Sequence, residues 1–99
     1  MSDTQHDKIA KVVAKKKGAS YPPSKGADVV TPKEAIEVEV DAAKLSEGMQ
    51  QLQGYKKQRY LAVPTNLVDA AKERVKHTQV GVMDETGRIR KRPGGKKSK

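Results

Sequence analysis

Ninety-nine residues allow one small domain, and with 34% apolar residues, three tyrosines and neither Phe nor Trp, its core must come from Val, Ile, Leu, Ala and Met. The lack of cysteine excludes disulfides and thiolate metal sites, and no apolar run is long enough for a signal or membrane span, so a cytoplasmic protein that does not enter the membrane is the default expectation. The formal net charge of +9 is unevenly placed: seven basic residues and no acid lie from Arg88 onward in RIRKRPGGKKSK, leaving residues 1–87 at +2.

In chain order, His6 to Lys17 reads as a helix, with Ile9, Val12 and Val13 at i, i+3, i+4 and lysines opposite, stopped by Gly18. The stretch ASYPPSKG is a loop in which Pro22 and Pro23 exclude a central strand, although Tyr21 can begin a short edge strand. Ala27–Thr31 and Ala35–Val40 are the arms of a hairpin; Ile36, Val38 and Val40 share one face, and Glu37, Glu39 and Asp41 the other. Leu45, Met49 and Leu52 mark a second helix, with Asp41 or Ser46 as its N-cap and Gly48 and Gly54 weakening it. QRYLAV, Gln58 to Val63, is a strand ended by Pro64. Leu67 to His77 is a third helix with Leu67, Ala71 and Val75 as its buried stripe. Thr78–Asp84 and Arg88–Arg92 form a last hairpin around DETG.

The order α-β-β-α-β-α-β-β implies an α/β protein, a mixed sheet flanked by helices, occupying residues 1–92 as one domain. Residues 93–99 read as a basic disordered tail suited to a polyanion, of which nucleic acid is the commonest. A core this thin would gain from a partner subunit, which admits a homodimer.

The first hairpin carries the chemistry. Pro32 is preset for position i+1 of a turn over Thr31-Pro32-Lys33-Glu34, so paired residues fall as Val30 with Ala35, Val29 with Ile36 and Asp28 with Glu37. Glu39 shares that face opposite Gly26, and like charges set directly opposite destabilise a sheet. Either Lys44 reaches over to offset them or a divalent cation does, since Mg²⁺ takes one or two carboxylates together with carbonyls, waters and phosphate. An ordinary half-exposed strand with its acids on the wet face is the competing reading of EVEVD.

These residues resemble the PD-(D/E)XK nuclease superfamily, whose restriction-endonuclease-like core joins an Asp on one strand to a (D/E)-x-K on the next at one metal site. Asp28 matches the first acid, Glu37-Val38-Glu39 the second element, and Gln51-Leu52-Gln53-Gly54-Tyr55 is similar to the Q-x-x-x-Y motif that follows in some members. Ala27 replaces a variable proline, and Glu39 replaces the motif lysine, leaving Lys44 on the neighbouring helix as the stand-in. The resemblance implies a Mg²⁺- or Mn²⁺-dependent endonuclease that hydrolyses DNA phosphodiesters and is directed by structure or ends, since no separate recognition domain fits. It implies Asp28, Glu37 and Glu39 as metal ligands, Lys44, Gln51 and Tyr55 as further catalytic or positioning groups, and DNA as the partner. Lys15, Lys16, Lys17, Arg88, Arg90, Lys91, Arg92, Lys96 and Lys97 would track its backbone. Two alternatives stay open: a DNA-binding module that has lost catalysis through Glu39, and a basic nucleic-acid-associated assembly protein.

His6 and His77 are not expected to be ligands, being placed before the first helix and at the end of the third. Tyr60 reads as strand packing, and Asp84 and Glu85 as turn residues.

Overall fold

The computed structural model describes residues 4–19 and 27–93. Helix α1, Gln5–Lys17, starts where the Thr4 hydroxyl accepts from the Asp7 N–H at 3.1 Å and ends at Gly18 in the left-handed region, φ 70°. Its buried stripe is Ile9, Ala10, Val13 and Ala14, while Val12 is 47% exposed. The stripe expected through Val12 is therefore rotated: alanines at i+1 and i+5 from Ile9 let the helix approach the sheet closely, and Val12 turns outward.

Strands β1 (Val29–Val30) and β2 (Glu34–Val38) pair antiparallel, with Val29 opposite Ile36 and Val30 opposite Ala35. Both are shorter than the hairpin arms read from the sequence. After β2, the Asp41 carboxylate accepts from the Ala43 N–H at 2.9 Å and caps a 3₁₀ turn, Ala42–Lys44, that leads into α2, Leu45–Leu52. Strand β3, Gln58–Ala62, lies parallel to β2 and is followed by a second 3₁₀ turn, Thr65–Leu67, and helix α3, Val68–Val75. Parallel β4 (Val80–Met83) and antiparallel β5 (Ile89–Lys91) complete one sheet in the order β1-β2-β3-β4-β5. The class is the expected mixed α/β, a five-stranded mixed sheet with three helices.

The sheet is covered on both faces, as parallel sheets generally are. Ile9, Val13, Val29, Ile36, Val38, Tyr60, Ala62 and Met83 form the layer under α1. Leu45, Leu52, Leu61, Val75, Val80 and Val82 form the layer under α2 and α3. Strand β2 thus has no wet face, so an alternating EVEV pattern here marks two buried layers rather than one.

The β4–β5 turn shows what the second hairpin's acids do. The Asp84 carboxylate accepts from the Thr86 hydroxyl (2.6 Å), the Thr86 N–H (2.9 Å) and Arg90 (3.2 Å), and Glu85 accepts from the Thr65 N–H at 2.9 Å. Burial pushes Asp84 up, yet these bonds and the Arg88 N–H together hold it below the usual carboxylate range. Gly87, at φ 86°, closes the turn. The turn role expected for both acids is the observed one.

Tyr21, Pro22, Pro23 and Gly26, and the tail from residue 94 with Lys96 and Lys97, lie outside the described residues. Among the described residues no helix is long and apolar enough to cross a membrane.

Candidate functional site

The Thr31 hydroxyl builds the first hairpin's turn by accepting from the N–H groups of Lys33 (3.2 Å) and Glu34 (2.9 Å), while the Thr31 N–H donates to the Glu34 carbonyl at 2.9 Å. The resulting register, extended one residue beyond Val29 and Ile36, brings Asp28 opposite Glu37. There the ladder changes character. Val38 N–H donates to Asp28 Oδ2 at 2.9 Å, where a continuing strand would have offered a carbonyl, and Asp28 N–H donates to Glu37 Oε1 at 3.2 Å. The two carboxylates meet as expected, at the sheet edge, and each is also held by the other strand's backbone.

Glu37 is only 9% exposed. Burial, reinforced first by the charge of Asp28, pushes its carboxyl up to about 8, so it retains its proton at neutral pH. The half-exposed-strand reading is overturned by this burial: Glu37 is an acid enclosed beside another acid. Glu39 follows β2, with its N–H donating to the Ala62 carbonyl at 3.0 Å. Burial raises its pKa, His6 opposes that, Asp28 and Glu47 add to it, and Lys44 opposes it.

Gly48 makes room for Glu39. A Cβ at this position of α2 would lie 2.8 Å from Glu39 Cγ and 3.0 Å from Leu61 Cδ2. The glycine that weakens the helix pattern is thus the surface against which the Glu39 side chain rests.

His6 is the residue that sequence reasoning passed over. It lies in the first turn of α1, and its Nε2 is 3.0 Å from Asp28 Oδ2, which sets an imidazole directly against the pair. Its exclusion rested on a position before the helix; the Thr4 cap instead brings it inside. The Thr4-x-x-Asp7 pattern could have placed His6 in a first turn, but no local signal links that turn to a strand 22 residues away.

Lys44 is exposed in the 3₁₀ turn and acts on Glu39 less than His6 does. The Q-x-x-x-Y spacing does not place Gln51 and Tyr55 on one helix. Helix α2 ends at Leu52, and Gly54, at φ 93°, turns the chain away. Gln51 remains exposed in the last helical turn, whereas the Tyr55 hydroxyl accepts from the Ala27 N–H at 3.0 Å, one residue before Asp28.

The basic residues divide into two groups. Lys15, Lys16, Arg88 and Arg92 are exposed, and the Lys16 side chain packs over Gly87, joining the α1 lysines to the β4–β5 hairpin. Lys17 instead donates to Glu34 at 3.0 Å with its ammonium 6.0 Å from the Tyr60 ring centre, and Arg90 is tied to Asp84. These two are structural cations, and Lys91 is half-buried.

Among the described residues no group of three His, Cys, Asp or Glu side chains is arranged to hold a metal ion. The expected three-carboxylate cage of Asp28, Glu37 and Glu39 therefore contracts to a pair. Two carboxylates suffice for the protein's share of a Mg²⁺ site completed by carbonyls, waters and phosphate. The pair also has the electrostatics such an ion relieves, an enclosed carboxyl whose charge is suppressed by burial and then by its neighbour. The chain matches no family model, no curated protein and no solved structure.

Proposed function

We propose that the protein is a divalent-metal-dependent nuclease acting on DNA, with Mg²⁺ (or Mn²⁺) held by Asp28 and Glu37. The observation that carries this reading is the enclosure of Glu37 beside Asp28 at the sheet edge, where the two carboxyls can ionise together only if a cation joins them. The resemblance to PD-(D/E)XK nucleases and the mixed sheet flanked by helices support the same reading.

When bound, the ion supplies Lewis-acid polarisation of the phosphodiester and acidifies the attacking water. The chain's own residues do the rest. Glu39, whose pKa is raised by burial, takes the water's proton. Exposed Lys44 offsets charge on the phosphate, standing in for the motif lysine. Tyr55 fixes the Ala27 backbone and so orients Asp28, and Gln51 offers an amide at the exposed end of α2. Lys15, Lys16, Arg88 and Arg92 track the backbone of the nucleic acid.

The test is incubation with supercoiled, linear and branched DNA in Mg²⁺ or Mn²⁺. Cleavage is expected with either ion and is lost in Asp28→Asn and Glu37→Gln, near-isosteric changes whose folding is checked by circular dichroism. Cleavage indifferent to both substitutions, or absent with both ions, ends the proposal.

A second reading is a DNA-binding module without catalysis. Two observations favour it: Glu39 replaces the motif lysine, and Asp28 Oδ2 is already engaged by His6 and Val38. It predicts retention of DNA, unchanged by the same substitutions, with no strand scission.

A further inference from the structure

A second cationic centre lies away from the carboxylates, where β3 and β4 begin and β5 ends. A cavity of about 280 Å³ is lined there by Lys56, Lys57 and Arg59, by the amides of Gln58 and Gln79, and by Pro93, with Tyr55 as one wall. No acidic residue lines it. Arg59 is half-buried on the central strand, between Ala35 and Val80 in the register. Among the described residues no carboxylate forms an ion pair with Arg59 or with Lys56. Lys57 is fixed in place by donating to the Thr31 carbonyl at 2.9 Å.

Half-buried cations such as Lys57 and Arg59 are ordinarily paired, and exposed Lys56 beside them adds a third like charge. An anion bound among them removes both penalties. The donor set also has a preferred guest. A planar guanidinium fork, two ammonium groups and two amides match an anion with several oxygens at tetrahedral angles, and guanidinium pairs with such oxygens bidentately. A carboxylate would satisfy the fork alone.

We infer that this cavity is a phosphoryl-group site, distinct from the Asp28–Glu37 pair. Neither Asp28 nor Glu37 lines the cavity; Tyr55 borders it and bonds the Ala27 N–H through its hydroxyl, so the two sites share that one wall. The inference rests on the cavity's own cations and on no bound metal, so failure of the metal experiment leaves it intact.

The experiment is titration of the full chain with inorganic phosphate at constant ionic strength, balanced with chloride, followed by calorimetry and by thermal unfolding. Phosphate raises the melting temperature above the chloride control, because a ligand of the folded state stabilises it. Arg59→Gln weakens phosphate binding at least about tenfold, the scale of one charge-assisted contact. Lys56→Gln, at an exposed position, weakens it as well and keeps the test decisive should the arginine variant misfold. A native chain that does not distinguish phosphate from chloride, or two folded variants that bind as the native does, overturns the site. A short DNA strand added in competition identifies the source of the group. Displacement of phosphate supports a polynucleotide backbone, and undisturbed binding supports a small phosphorylated molecule.

Discussion

His6 Nε2 stands 3.0 Å from Asp28 Oδ2, so a helix packed on one face of the sheet and the edge strand share a single carboxylate. The same oxygen receives the Val38 N–H. Asp28 is thereby satisfied by the protein alone, and any cation must compete with the imidazole for it.

Replacing His6 with alanine separates these roles. Without metal, stability is expected to fall by about 1–2 kcal/mol, as for a partly exposed hydrogen bond to a charged group. The additional stabilisation conferred by Mg²⁺ is expected to grow, since a competitor is gone. Urea denaturation with and without Mg²⁺ measures both, and a Mg²⁺ response that disappears would make His6 part of the ion's own binding group.

Glu37 predicts a pH dependence of stability with a definite sign. Its folded pKa of about 8 lies above the ordinary 4.5, so between these values the folded chain keeps a proton that the unfolded chain has lost. Stability is therefore full below the lower value, falls as pH rises through the window, and levels off above the upper one. The raised pKa of Glu39 acts in the same direction. Asp84, held low, acts oppositely and only in acid, where its protonation removes stability. Thermal melts from pH 5 to 9 without divalent ions are expected to show the decline, and Glu37→Gln to flatten most of it. A native profile that is flat across this range would mean that Glu37 ionises as freely as an exposed glutamate.

Gly48→Ala tests the cradle beneath Glu39. Alanine gains roughly 1 kcal/mol of helix propensity, while the new methyl crowds Glu39 and Leu61, a kind of overpacking that costs about 1–3 kcal/mol. The expected net change is a small loss of stability with a displaced Glu39 and a larger proportional loss of any metal-dependent cleavage. A urea midpoint beside a cleavage rate reports the two separately; a more stable variant with unaltered activity would mean that Glu39 has no fixed role.

Tyr55→Phe removes the acceptor from the Ala27 N–H, a group on a fully buried residue. The expected cost is about 1–3 kcal/mol, the range for orphaning a buried donor. Amide exchange at Ala27 and Asp28 should accelerate more than exchange in β3, because the loss is local to the edge. Uniform acceleration throughout the sheet would instead assign Tyr55 a general packing role.

Much of the site was legible because its parts are close in sequence. The Thr31-Pro32-Lys33-Glu34 turn fixes the register that brings Asp28 to Glu37, and strand periodicity separates Ile36 and Val38 from Glu37. Burial of Glu37 was not legible, because alternation within a strand reveals two faces but not what packs on each. Val12 and Val13 illustrate the same gap on α1, where only the tertiary contact decides which valine turns inward. His6 and Tyr55 were misplaced for a related reason. Each makes its decisive bond to the segment before β1, across intervals of 22 and 28 residues that no local pattern spans. Lys17 looked like one more surface cation until Glu34 and Tyr60 were found beside it.

The carboxylate of Asp28 completes a ladder that β1 leaves unfinished, since that strand pairs through only two residues before its backbone departs. It behaves as a latch on the sheet's rim. If the proposed dication binds there, drawing the carboxylate toward it would uncover the Val38 amide, so loading of the site and loosening of the first strand would become one event. Under the proposed metal role, such a latch would give weak intrinsic affinity for a lone ion, strengthened when an anionic ligand arrives with it.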